Sequence, residues 1–349
     1  MPEEKTIAYK EAVRLGIARA MRQDDDVFLF GLDVDDHLGI QGTTLGLAEE
    51  FGAQRCFGTP LSEDAMTGVA IGAAMAGMRP IHTHIRMDFL LLCMNQLVNI
   101  AAKAHYMFGG QVAVPMVARG IIGKSWGQGA QHSQGLHSLF MHVPGLRVVA
   151  PATPHDAMAC MLTAVAENNP VIFVEHRLLY NRQGPVDVEA APSVLGKGRI
   201  CREGKDVTIV GISNMLHDAL KAGALLQQAG ISAEVIDPIW LAPLDVDLIV
   251  RSAEKTGRLI VADTAWTACG ASAEIVAAVA ERVPGVKVAR IGFAPTPCPT
   301  TPSLEKEFYP DAVTVCETAM RLVAPGALAP PFTALAERMQ QDPVFKGPF

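Results

Sequence analysis

Apolar Ile7, Ala8, Ala12, Leu15, Ala18 and Met21 recur near helical spacing, which predicts a helix over residues 6–22. A short apolar run at 27–30, closed by Gly31, predicts a buried strand after it. The cycle repeats with a small-residue helix at 68–78, a longer helix at 89–106 and a strand at 112–117. It repeats again with a strand at 147–150, a helix at 155–167 and a strand at 171–174. Short apolar strands alternating with helices read as α/β, a parallel sheet covered on both faces.

Periodicity fades around Pro185, Pro192, Gly196, Gly198 and Gly204, which places a first domain at 1–185 and a linker at 186–206. A second alternation then begins, with strands at 207–210, 233–236, 259–261 and 286–291 and helices at 215–229, 245–254 and 271–283. It predicts a smaller parallel-sheet α/β domain over 207–324. The remainder, 325–349, carries five prolines and one helical turn pattern at 332–339, and reads as an arm.

Composition adds what the pattern cannot. With 349 residues, half of them hydrophobic, the chain has material for two cores. Its 29 basic and 36 acidic side chains give −7 with no long run of one sign, which argues against a nucleic-acid partner. The longest apolar stretch, 89–102, is interrupted by Asn95, Gln96 and Asn99, so no membrane span is expected. Acids and bases mix through residues 1–20 without a presequence pattern, so a cytoplasmic protein is expected. Seven scattered cysteines without a Cys-x-x-Cys pair predict reduced thiols rather than disulfides or zinc. Only 19% of residues are charged, a thin cover for so much apolar surface, and this points to subunit contact.

Generic motifs contribute little. Gly123-Lys124-Ser125-Trp126-Gly127 matches a nucleophile elbow, but Gly129 interrupts the helix that should follow, and a plain glycine loop explains it better. His82 and His84 would point to one side of a strand, as a metal pair does, yet no third ligand lies near them in sequence. No metal site is assigned to this chain. More telling is Ser62-Glu63-Asp64, an N-cap with two first-turn acids, ahead of the small-residue helix. Helix capping accounts for one acid; a helix that must lie close to other backbone can carry the second into a buried site as a proton handler. His132, in Gln131-His132-Ser133-Gln134 after a glycine-rich loop, can relay protons from a cleft or stand on the surface.

Together these residues resemble the β subunit of the thiamine-diphosphate-dependent first component of 2-oxo acid and acetoin dehydrogenase complexes, a transketolase-like family. The likeness runs through Phe57-Gly58-Thr59-Pro60-Leu61-Ser62-Glu63, Met87-Asp88-Phe89, Gln96-Leu97-Val98-Asn99 and Ala130-Gln131-His132-Ser133-Gln134. It continues through Val143-Pro144-Gly145-Leu146, Asn169-Pro170-Val171-Ile172-Phe173 and Arg202-Glu203-Gly204-Lys205-Asp206-Val207 to Pro243-Leu244-Asp245. It implies a transketolase-like pyrimidine-binding domain followed by a transketolase C-terminal-type domain.

The resemblance also implies roles. Glu63 matches the glutamate that bonds the cofactor's pyrimidine ring nitrogen and so promotes loss of its thiazolium proton. Phe89 matches the aromatic residue beside the pyrimidine, His132 a catalytic histidine lining the substrate channel, and Arg119 a supporting arginine of that channel. The family's α subunit holds the diphosphate and magnesium through Gly-Asp-Gly, a motif absent here. The implied enzyme is an α2β2 heterotetramer, active only with that partner. It would build a cofactor-bound acyl carbanion or enamine from a small 2-oxo acid of the pyruvate type, or from acetoin, and pass the acyl group to a lipoyl acyltransferase core. Met107-Phe108-Gly109-Gly110 and the segment from Glu175 to Asn181 favour these small substrates. The alternatives are a diverged lyase or carboligase and a non-catalytic assembly subunit; retention of Glu63, Phe89 and His132 together counts against the second. Departures from the family pattern are Leu32 and Asn95, where acids are usual, Arg86, where an apolar residue is usual, and Trp266 and Cys269 in a family loop.

Overall fold

The computed structural model describes residues 4–124 and 127–337. The chain divides into two compact units, one reaching residue 195 and the other beginning at 196, with 127–130 grouped with the second.

The first unit contains β1 (Glu4–Ala8), α1 (Tyr9–Gln23), β2 (Val27–Gly31), the single turn α2 (Gly39–Gly42), α3 (Leu47–Phe51), β3 (Cys56–Gly58) and α4 (Glu63–Met75). It continues with β4 (Arg79–His84), α5 (Ala102–Met107), β5 (Val117–Ile122), α6 (His137–Met141), β6 (Arg147–Val149), α7 (Pro154–Ala166), β7 (Val171–His176) and β8 (Gln183–Asp187). Six strands lie parallel in the order β6-β7-β5-β4-β2-β3. Every residue of β2, β5 and β7 is buried, as expected for a parallel sheet with covered faces. Helix α1 packs along α7, and Gly16 permits the close approach, since a Cβ there would lie 3.0 Å from Met161 Cβ.

The second unit comprises β9 (Arg199–Arg202), β10 (Val207–Gly211), α8 (Met215–Gln228), β11 (Ala233–Asp237), β12 (Trp240–Ala242), α9 (Val246–Thr256), β13 (Arg258–Trp266), α10 (Ala271–Ala280), β14 (Lys287–Phe293), α11 (Pro302–Phe308), α12 (Ala312–Val323) and α13 (Phe332–Glu337). Its sheet runs β14-β13-β10-β11-β9, with only β9 antiparallel. Helix α9 shows how local sequence sets an element: the Asp245 carboxylate accepts from Leu248 N at 3.3 Å, and Gly257, left-handed at φ 67°, ends the helix.

Four elements differ from the expectation. Residues 4–8 pair antiparallel with 183–187, so the first helix starts at Tyr9 rather than residue 6. The strand expected at 112–117 begins where that stretch ends, as β5, because register with β4 and β7 fixes Val117 to Ile122. The helix expected at 89–106 is broken into a 3-10 segment Met87–Cys93, a π-type segment Asn95–Ala101 and α5. In the stretch expected to link the domains, Arg199–Arg202 closes the edge of the second sheet as β9. Among the described residues no helix is long and apolar enough to cross a membrane.

Candidate active site

Glu63 is the first residue of α4, and Ser62 holds the N-cap position without a side-chain capping bond. Glu63 is half-buried. With Asp64 it complements the positive end of the helix dipole. Among the described residues no hydrogen bond to its carboxylate is made, which leaves it available to a ligand donor. Helix α4 packs on the 3-10 and π-type segments that follow β4. There Cys93 is buried, which pushes its thiol up to about 11; the Thr67 hydroxyl pulls the other way, and the Glu63 and Asp64 charges add to the rise.

Phe89 sits in the 3-10 segment and His132 in the loop before α6. Their rings meet edge to face, with centroids 5.4 Å apart at 84°. Both are half-buried. A polar tie fixes the two segments: Asp88 Oδ1 accepts from Gln134 Nε2 at 2.8 Å and from Gln134 N at 3.3 Å. Asp88 and Gln134 each stand inside a family-like motif, but nothing local in the sequence pairs them.

Arg119 is placed differently from the channel role expected for it. Its guanidinium is fully buried, donating to Glu175 through Nε at 2.7 Å and Nη2 at 3.1 Å, and to Thr83 and Thr43 at 3.2 and 2.9 Å. Tyr180 OH donates to the same carboxylate at 3.0 Å. Burial opposes the Arg119 charge, and the Glu175 carboxylate more than offsets it, holding the pKa above its usual value. These bonds make Arg119 a core residue that locks β5 to β4 and β7.

His82 and His84 do share one side of β4. His84 Nε2 lies 3.1 Å from His82 Nδ1, which is 3.3 Å from Thr67 Oγ1 on α4. Burial pulls His84 down to about 4 and His82 well below its ordinary value, so both stay neutral. Among the described residues no group of three or more His, Cys, Asp or Glu side chains could hold a metal ion. The elbow-like motif has Ser125 and Trp126 outside the described residues. At its edge, Gly123 is left-handed at φ +94°, and a Cβ would fall 2.5 Å from His176 Cε1. Leu32 is half-buried after β2, and Asn95 is exposed, accepting from Asn99 Nδ2 at 2.9 Å.

Residues 5–183 match the family "Transketolase, pyrimidine binding domain" and residues 196–315 match "Transketolase, C-terminal domain". Among curated proteins, the chain is 40% identical to the acetoin:2,6-dichlorophenolindophenol oxidoreductase subunit beta of Cupriavidus necator, over 92% of this chain and 99% of that one. It belongs to the family of acetoin and pyruvate dehydrogenase β subunits. The pyruvate dehydrogenase E1 component subunit beta of Rickettsia bellii is 41% identical over 78% of this chain and 84% of its own length. A solved structure described as "Split gene transketolase, inactive beta4 tetramer" superposes with a TM-score of 0.77 at 21% identity, over 92% of this chain and 99% of its own, and supports the fold. Members of the acetoin and pyruvate dehydrogenase family are oxidoreductase subunits of thiamine-diphosphate-dependent enzymes. The Phe89–His132 pair and the uncommitted Glu63 carboxylate suit that cofactor's pyrimidine end, which needs an acid and an aromatic wall.

Proposed function

We propose that this chain is the β half of a cytoplasmic thiamine-diphosphate-dependent dehydrogenase acting on acetoin or a small 2-oxo acid of the pyruvate type. The observation that carries the reading is the meeting of Phe89 and His132, held by Asp88 and Gln134, in the unit whose α4 opens with a free Glu63 carboxylate. Thiamine diphosphate supplies a carbon nucleophile and an electron sink when bound. Glu63 would hold a proton against the pyrimidine ring nitrogen, Phe89 would pack beside that ring, and His132 would hold or move a proton at the substrate oxygen. An α partner would bring the diphosphate and magnesium ligands in an α2β2 assembly, and a lipoyl acyltransferase core would take the acyl group.

The test is co-expression with a Gly-Asp-Gly α subunit, followed by dye reduction with acetoin or pyruvate as the electron donor. Substrate-dependent reduction that needs both chains, thiamine diphosphate and magnesium is expected. An assembled complex that consumes neither substrate would end this reading.

A further inference from the structure

Arg86 stands two residues beyond β4 and opens the turn that carries Asp88 and Phe89. It is 4% exposed. Its Nη1 donates to the carbonyl oxygen of Ile85 at 2.7 Å, and no described group accepts from its buried Nε. Asp88, 6% exposed, gives Oδ1 to Gln134, while its buried Oδ2 has no partner among the described residues. Arg86 and Asp88 thus sit in one turn with opposite charges and one unfilled buried polar atom each, and among the described residues no ion pair joins them.

An arginine keeps its charge in any protein interior, so the fold carries an incompletely satisfied cation here. Such a group costs stability unless something completes it. The place is informative. Ligands of parallel α/β sheets bind beyond the carboxyl ends of the strands, and this turn lies at the carboxyl end of β4 and carries the ring that meets His132.

We propose that Arg86 recognises a carboxylate of the substrate. The assignment rests on the 2-oxo acid reaction proposed above and sets acetoin aside, because acetoin is neutral and offers Arg86 nothing. Two carboxylates are candidates: the one a 2-oxo acid loses as carbon dioxide, and one retained on the acyl portion. Pyruvate has only the first; the second makes the substrate a dicarboxylic 2-oxo acid, an extension of the proposed reaction that physical reasoning favours. An ion pair to the departing carboxylate stabilises the ground state more than the transition state, whereas an ion pair to a retained carboxylate is equal in both.

The experiment uses the assembled enzyme and the variants Arg86→Gln and Arg86→Lys. Calorimetric titration with oxalate, a dicarboxylate probe that requires no turnover, should show affinity falling about tenfold or more in Arg86→Gln. Arg86→Lys keeps the charge without the planar fork and should fall between the two. The melting temperature of Arg86→Gln should hold or rise, since an unsatisfied buried charge is removed. In turnover, KM should rise for pyruvate if the departing carboxylate is held, or for 2-oxoglutarate alone if the retained one is held, with KM for acetoin unchanged. Oxalate that fails to bind the wild-type enzyme, or binds all three proteins alike, overturns the proposal, as does an equal KM rise for acetoin and the acids. Should Arg86→Gln not fold, Arg86→Lys decides, and undiminished oxalate affinity refutes. An enzyme that binds oxalate through Arg86 yet turns over none of these substrates leaves this assignment standing and ends the reaction proposed above.

Discussion

A first-turn carboxylate can stabilise a helix or handle a proton, and Glu63 can be assigned between the two by one amide. Glu63→Gln in the assembled enzyme should cost the helix at most about 1 kcal/mol through the dipole. It should abolish deuterium exchange at the thiazolium carbon, since an amide cannot deliver the proton. Exchange at the wild-type rate would leave Glu63 a helix-start charge only. His132→Ala should spare that exchange and slow turnover, because the role proposed for His132 is at the substrate and follows the exchange step; a parallel fall in both would move it earlier. Arg119 obeys a different logic. Arg119→Met strands the fully buried Glu175 carboxylate, and about 3–5 kcal/mol of stability should be lost in a urea titration. Adding Glu175→Leu should recover most of it, and normal stability with lost activity would instead return Arg119 to the channel.

Elements show where local pattern governs and where contacts elsewhere override it. Helices α7, α8 and α9 are legible from apolar spacing, and in two of them a side-chain cap agrees with it, at Thr153 before α7 and Asp245 before α9. The 89–106 run has the periodicity of one helix; the Asp88 tie to Gln134, forty-six residues away, is invisible to a local window. β1 is a strand only through its partner β8, which lies in the stretch where periodicity fades. Glu63, Phe89 and His132 are singled out by family-like motifs and stay a proposed site, whereas the burial of Arg119 depends on Thr43 and Glu175 arriving from distant elements. The β4–α4 layer gives a pH prediction of its own. A histidine whose folded pKa lies below its unfolded value binds fewer protons folded than unfolded, so its stabilisation is present above about pH 6.5 and lost as pH falls toward 4. For His84, pulled down to about 4 by burial, the loss is about 3 kcal/mol. His84→Phe should flatten the fall of the melting temperature over that window; an unchanged slope would show that His84 is solvated.

At the scale of the whole molecule, the thin charge cover anticipated from composition has a location. Leu61 and Leu92 are exposed in the first unit, as are Tyr106 at 89% and Phe108 at 54% beside Gly109 and Gly110. Large exposed aromatic side chains are what a contact surface buries. On the proposed function the diphosphate and metal ligands come from the α partner, in keeping with a chain that carries no Gly-Asp-Gly. The proposal joins the two: an α partner that covers these apolar residues would also bring the phosphate and metal ligands. The isolated chain should therefore bind thiamine diphosphate weakly with or without magnesium, and calorimetry should show the affinity appearing only on addition of the α subunit. Tyr106→Ser with Phe108→Ser removes two aromatic side chains, each worth about 1.5–3 kcal/mol when buried, so the association constant with the α subunit should fall about a hundredfold or more. Association at wild-type strength would place the partner on another face, and tight magnesium-dependent binding by the lone chain would refute the half-site.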